Sequence, residues 1–271
     1  MYKLVASDVD GTLLGLDFTL HPDNKTTIAN ALQKGVSFCL CSGRSYKSLL
    51  SYHKELGLPA DGYIIAFNGG VVYDVARGKV IFKELLGIDI GLRAIDIYHA
   101  RQRSVEIFVY VDFERVLVEE HTHVSDAYAQ ISEILMEKSD DIAADVAGCA
   151  NVIKIIFMGQ NHVLQGFKVE LVTALGDEAD IAFSTEYLLE VGSKNCSKGN
   201  ALAWLCSRLG VPVEQTITIG DNYNDISMVS RAGLGVAVAN AVDDLKAIAG
   251  HVTKKTSAQG AVAEVLNKFV L

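Results

Sequence analysis

The chain has 271 residues, half of them hydrophobic, with 24 basic and 33 acidic side chains and a formal net charge of −9. That length suits one or two domains with a core that needs no covalent staple. The acidic balance argues against general nucleic-acid binding, and no apolar run approaches the ~18 residues of a membrane span. In chain order, a short apolar run at Leu4–Ser7 reads as a strand that stops at Asp8 and Asp10. Residues 22–34 read as a helix entered through Pro22 and stopped by Gly35. A second apolar run, 36–41, is interrupted by Ser42-Gly43-Arg44. A helix at 45–56 ends at Gly57, and a third strand at 63–67 halts at Asn68-Gly69-Gly70. Apolar runs alternating with helices are the pattern of a parallel sheet covered on both faces.

The middle of the chain reads differently. Strands at 104–111 and 115–119 flank Asp112-Phe113-Glu114 as a hairpin. Helices are expected near 124–138 and 162–174, and strands at Val152–Met158, 181–184 and 187–191. Paired strands mixed with helices indicate an α+β module with an antiparallel sheet. The last segment returns to the first style, with a helix at Lys198–Leu209, strands at 216–219 and 234–239, and helices at 242–249 and 258–269. The parallel-sheet domain is therefore expected to be split in sequence by an inserted second domain.

Five scattered cysteines, Cys39, Cys41, Cys149, Cys196 and Cys206, form no CxxC pair. They read as buried thiols of a reducing, cytoplasmic setting rather than a zinc site or disulfide frame. His121 and His123 lack a third ligand at metal spacing, and Trp204 reads as core.

In an open parallel sheet, ligands bind beyond the carboxyl ends of the strands. Four candidate strands end in reactive residues: Asp8 and Asp10, Ser42, Asn68, and Asp221. Two carboxylates one residue apart repel each other and favour a hard cation such as Mg²⁺ between or beside them. Ser42 at a helix start offers a hydroxyl and free N–H groups to an anion. Arg44 meets either an anionic substrate or solvent. Asp225 lies four residues after Asp221, a helical spacing, with Asn224 beside it. Lys198 opens a helix, where a cation opposes the helix dipole, so a neighbouring anion is expected; Lys194 is its competitor. Each cluster alone also admits a plain reading as a solvated turn, a serine cap or a capped helix start.

Together the clusters suit phosphoryl transfer to an aspartate with a hard metal. "DVDGTLL", "CSGRS", "SKGNAL" and "GDNYNDISM", in this order, resemble the four motifs of the haloacid dehalogenase-like phosphatases. "FNGG", "AVANA" and "KKTSAQGAV" resemble the Cof-type sugar-phosphatase branch of that family. The resemblance implies a Rossmann-like, doubly wound α/β core at 1–82 and 189–271, with an α+β cap inserted at 83–188. It implies Asp8 as nucleophile and Mg²⁺ ligand, and Asp10 as general acid/base whose backbone carbonyl also binds the metal. Ser42, Gly43, Asn68, Arg44 and Asn224 are the implied phosphate and substrate contacts. Lys198 neutralises phosphate and Asp8, Asp221 binds Mg²⁺, and Asp225 orients that shell. The implied activity is Mg²⁺-dependent hydrolysis of small phosphomonoesters, with no nucleic-acid or membrane partner. A phosphomutase and a receiver-like phospho-acceptor are the rival readings.

Overall fold

The computed structural model describes residues 1–100, 105–132 and 134–271. In chain order the first elements are β1 (Leu4–Ser7), α1 (Pro22–Gln33), β2 (Ser37–Cys41), α2 (Tyr46–Glu55), β3 (Tyr63–Ala66), β4 (Val71–Asp74) and β5 (Lys79–Lys83). Then come α3 (Ile88–His99), β6 (Glu106–Val111), β7 (Arg115–Val118), α4 (His123–Ser132), β8 (Met136–Lys138), α5 (Ile142–Ala147), β9 (Val152–Met158), α6 (Asn161–Leu175), β10 (Ala179–Thr185) and β11 (Leu188–Ser193). The chain closes with α7 (Lys198–Leu209), β12 (Thr216–Gly220), α8 (Ile226–Val229), β13 (Leu234–Ala237), α9 (Asp243–Ile248), β14 (His251–Val252) and α10 (Ala261–Phe269). They divide into two compact units, one of Met1–Lys83 with Ser197–Leu271, the other of Glu84–Cys196.

The first unit holds an eight-stranded sheet in the order β14-β13-β12-β1-β2-β3-β4-β5. The six strands from β14 to β3 are parallel, and β4 and β5 extend the sheet as an antiparallel hairpin. The strands β1 and β12 are buried along their whole length, as a sheet covered on both faces requires. Chain order reverses at β1, which lies between β2 and β12, so the crevice beyond these ends is the fold's natural ligand position. Ser7 pairs with both Ile219 and Leu40, which sets Asp8, Asp221 and Ser42 within a residue of one another along the sheet edge.

The hairpin β4–β5 is absent from the sequence reading, because Asn68-Gly69-Gly70 reads as a stop. Phe67 (φ 52), Asn68 (φ 56) and Gly69 (φ 97) instead turn the chain through a left-handed step. The chain then re-enters the sheet beside β3, Ala66 pairing with Val71.

The second unit is a six-stranded sheet, β10-β11-β9-β6-β7-β8, antiparallel except for the β7–β8 pair. Its core joins Ala94, Ile95 and Tyr98 of α3 and Leu164, Phe167 and Leu171 of α6 to Ile107, Val109, Ile155 and Phe157 of the sheet. Phe157 and Phe167 meet edge to face, with centroids 4.7 Å apart. The β6–β7 hairpin turns on Asp112 (φ 50) and Phe113 (φ 68); Ser104, which the sequence reading adds to β6, lies outside the described residues. The strand β11 stays in this unit, pairing with β9 and β10, whereas the sequence reading returns to the core at 189.

The helix expected over 124–138 is corrected: α4 ends at Ser132, and Met136–Lys138 is a strand. Residue 133, inside that expected helix, lies outside the described residues. Sheet pairing overrides helical period here, since Met136 is buried beside Val116 and Glu137 accepts from Arg115 Nε at 2.8 Å. Among the described residues no helix is long and apolar enough to cross a membrane.

Candidate active site

The site lies within the first unit, where β1 and β12 end. Asp8 is the first residue past β1, and its backbone N–H donates to the Ile219 carbonyl at 2.9 Å, so the strand's own ladder aims it. It is 5 % exposed. Lys198, the first residue of α7, is fully buried and donates from Nζ to Asp8 Oδ1 at 2.5 Å and to Asp225 Oδ1 at 2.6 Å. The anion expected beside this helix-opening lysine is thus a pair of carboxylates. Ser197 caps the helix by accepting from the Asn200 N–H, which fixes where the lysine emerges.

Asp225 is also fully buried, and each of its oxygens is engaged. Oδ1 takes Lys198, while Oδ2 accepts from the backbone N–H groups of Asp221 at 2.8 Å and Asn222 at 3.0 Å. It therefore builds the loop that carries Asp221. Thr12, buried in the turn after β1, donates its hydroxyl to Asp221 Oδ1 at 3.0 Å. Gly11 permits this approach: its φ is +77°, and a Cβ there would stand 2.5 Å from Asp221 Oδ2. Asn240 donates to the Gly11 carbonyl at 2.8 Å and accepts from the Ser257 N–H at 2.8 Å, holding the turn from the far side.

Asp8, Asp221 and Asp225 each offer an oxygen within 4.8 Å of the others. Two buried carboxylates, Asp8 and Asp225, share one ammonium, and the half-buried carboxylate of Asp221 stands beside them. Burial pushes the Asp8 carboxyl well above its usual range against the pull of Lys198, and Asp225 and Asp221 push it further. Asp221 is pushed up to about 6, first by burial and then by Asp225. Burial works against a charged Lys198, but Asp225 and Asp8 outweigh it and hold its pKa above the ordinary lysine value. A cluster this short of positive charge, built of hard oxygen donors, fits a divalent cation.

Around it stand the other residues expected from sequence. Ser42 is buried, and its hydroxyl accepts from the Arg44 N–H at 3.2 Å. Asn68 donates its backbone N–H to the Ser42 carbonyl and accepts at Oδ1 from Asn224 Nδ2, both at 3.0 Å. A Cβ on Gly43 would meet that same Asn68 oxygen at 3.1 Å, so Ser42, Gly43, Asn68 and Asn224 form one neighbourhood. Arg44 goes elsewhere: its guanidinium grips the Asp10 carboxylate, Nε to Oδ2 and Nη2 to Oδ1, both at 2.8 Å. The Asp10 carboxylate is outside the acidic cluster.

Lys194 pairs with Asp177 at 2.9 Å on the surface of the second unit, leaving Lys198 as the cation of the cluster. His121 pairs with Asp126, Trp204 is half-buried against Phe82, and no disulfide joins the five cysteines. Sequence reasoning did not find Thr12 or Asn240. The only signal for either was position, Thr12 directly after the DxDG turn and Asn240 within "AVANA".

The model of the haloacid dehalogenase-like hydrolase family matches residues 5–266. The Bacillus subtilis protein YxeH is 28 % identical over an alignment covering 100 % of this chain and 99 % of the relative. The HMP-PP phosphatase of Serratia proteamaculans is 29 % identical, covering 92 % of this chain and 88 % of that protein. A crystal structure of a haloacid dehalogenase-like hydrolase from Bacteroides thetaiotaomicron superposes with a TM-score of 0.90 at 25 % identity, covering 99 % of each chain.

Proposed function

Because the chain belongs to the haloacid dehalogenase-like hydrolase family, we propose that it is a Mg²⁺-dependent phosphohydrolase acting on small phosphomonoesters, with Asp8 as its nucleophile. The observation that carries the reading is the pairing at Asp8. One carboxylate oxygen is fixed by a buried ammonium, and the carboxylate stands beside Asp221 in a cluster that could hold a metal ion.

The aspartate attacks phosphorus, and the bond to the leaving oxygen breaks as the aspartyl-phosphate forms. Lys198 offsets the charge that accumulates on Asp8 and on the phosphoryl group. The hydroxyl of Ser42, the N–H of Gly43 and the amides of Asn68 and Asn224 supply donors for the phosphoryl oxygens. Asp10 gives the departing alcohol its proton, then takes one from the water that cleaves the acyl phosphate. Asp8, Asp221 and the Asp10 backbone carbonyl would hold the ion, with Asp225 setting the loop behind them. When bound, Mg²⁺ supplies the positive charge that lets a carboxylate approach a phosphate dianion. The relative acting as an HMP-PP phosphatase supports a small phosphorylated substrate. The Glu84–Cys196 unit is the proposed cap, and five cysteines outside any disulfide fit a cytoplasmic setting.

The test is inorganic phosphate release across a panel of small phosphomonoesters, for the wild type and Asp8→Asn. The variant should keep the fold and lose turnover, since an amide is no nucleophile. Undiminished turnover by Asp8→Asn would end the covalent reading, and an isomerised sugar phosphate without phosphate release would point to a mutase.

A further inference from the structure

We propose that Arg44 is a positioning residue for Asp10 rather than a phosphate-binding one, and that Phe18 and Tyr52 hold it in that role. The inference rests on Asp10 being the acid/base, as read above. Arg44 meets Asp10 as a two-pronged fork, Nε to Oδ2 and Nη2 to Oδ1, each at 2.8 Å. A planar fork matched to a planar carboxylate fixes its rotation as well as its place. The third nitrogen, Nη1, donates to Ser48 Oγ at 3.3 Å and reaches Tyr52 Oη at 3.5 Å. The guanidinium is thus occupied along all three nitrogens, and its side chain is 13 % exposed. Little of it is left for a phosphate.

Its faces are covered too. The guanidinium carbon lies 5.6 Å from the Phe18 ring centroid and 5.4 Å from that of Tyr52. Phe18 is otherwise hard to account for. It is half-exposed, at 52 %, and its φ is +61°, a backbone region that a bulky side chain enters at a cost. Neither core packing nor turn geometry calls for phenylalanine there, whereas an aromatic face for Arg44 does. Asp10 itself needs such a brace: its side chain is 39 % exposed, so without the fork its carboxylate would be free to turn.

The two roles differ in what they do to rate. An arginine that binds phosphate contributes equally to every phosphomonoester. An arginine that aims Asp10 serves the acyl-phosphate hydrolysis shared by both esters and, in addition, the departure of a leaving group that must be protonated, so its loss weighs most on the alkyl ester. The experiment compares kcat and KM of the wild type, Arg44→Gln, Arg44→Lys and Phe18→Leu on two substrates. One is p-nitrophenyl phosphate, whose phenolate leaves unaided; the other is the alkyl phosphate that the wild type turns over fastest. Arg44→Gln should lose about 100-fold in kcat on the alkyl ester and at most about 10-fold on the aryl ester, with KM moved less than about twofold. Arg44→Lys keeps a charge but not the fork, so it should show the same selective loss. Phe18→Leu should shift the ratio of the two kcat values in the same direction by a smaller factor.

Equal losses on both substrates with raised KM would make Arg44 a phosphate ligand and overturn the proposal. Wild-type ratios in the variants would overturn it as well. Should Arg44→Gln fail to fold, the ratios in Arg44→Lys and Phe18→Leu decide. A wild type that hydrolyses no phosphomonoester removes the underlying reaction, and that is seen before any variant is made.

Discussion

Replacing Lys198 with methionine separates the charge at this position from its bulk. The lysine is fully buried and is the shared partner of two carboxylates that are 5 % and 0 % exposed, at 2.5 and 2.6 Å. Methionine fills nearly the same space, so the cavity contribution is small and the loss is electrostatic. Breaking a buried pair by removing one partner costs about 3–5 kcal/mol, because the remaining charges stay desolvated without a counter-ion. For a chain of this size each kcal/mol lowers Tm by roughly 2–4 °C, so the expected drop is about 6–20 °C in EDTA at neutral pH. Trp204, the only tryptophan and part of the same helix as Lys198, reports unfolding of this unit by fluorescence in urea. Adding Asp225→Asn should recover at least about 1 kcal/mol relative to additivity, since the second change removes a charge the first had stranded. Catalytic turnover should fall at least about 100-fold and not return with the double change. A Tm within about 2 °C of the wild type, the scale of less than about 1 kcal/mol, would mean that the cluster sheds its charge in some other way, and the electrostatic account would be wrong.

Thr12→Val removes the hydroxyl that donates to Asp221 Oδ1 while keeping the side chain's shape. Apparent Mg²⁺ affinity, read by restoring turnover after EDTA, should weaken about 10–100-fold with kcat at saturating metal nearly kept; an unchanged affinity would remove Thr12 from the site. The pH dependence of stability should carry a mark from His53, which is 4 % exposed, with Nε2 lacking a partner among the described residues and its pKa lowered by burial. The unfolded chain therefore takes up a proton near pH 6.5 that the folded chain refuses until lower pH, so stability falls as pH drops below about 6.5 and is retained above it. His53→Leu should flatten that acid limb in urea midpoints taken from pH 5 to 7.5, and an equally steep limb in the variant would assign the proton uptake elsewhere.

The parallel core was legible because its strands are buried on both faces and read as unbroken apolar runs between helices. The ends of those runs were legible too, since Asp8, Ser42 and Asp221 interrupt them abruptly. Arg44 was not, because its partner Asp10 and the Phe18 ring belong to the loop after β1, far from it in sequence, and only Tyr52 comes from its own stretch of chain. Thr12 and Asn240 were missed for a related reason: their work is done through the Asp221 carboxylate and the Gly11 carbonyl, and neither bond has a local spacing. The helix-opening lysine was a partial case. The dipole argument favoured Lys198 over Lys194, but only the buried carboxylates on either side of it show why a cation is tolerated there. In the second unit, β8 was hidden by a helical pattern that sheet pairing with β7 overrides.

The pairing of Leu4 with Thr216 has a consequence for how the chain is made. The strand β1 is synthesised before its partner β12 and gains that neighbour only after more than two hundred further residues have been made. The Glu84–Cys196 unit is continuous and can close on itself while the first strands still wait. Loop closure over so long an interval is slow and leaves an apolar strand edge open meanwhile. Synthesis therefore completes the surroundings of Asp8 late, and a nascent chain released before β12 would carry Asp8 without either the lysine-facing Asp225 or Asp221.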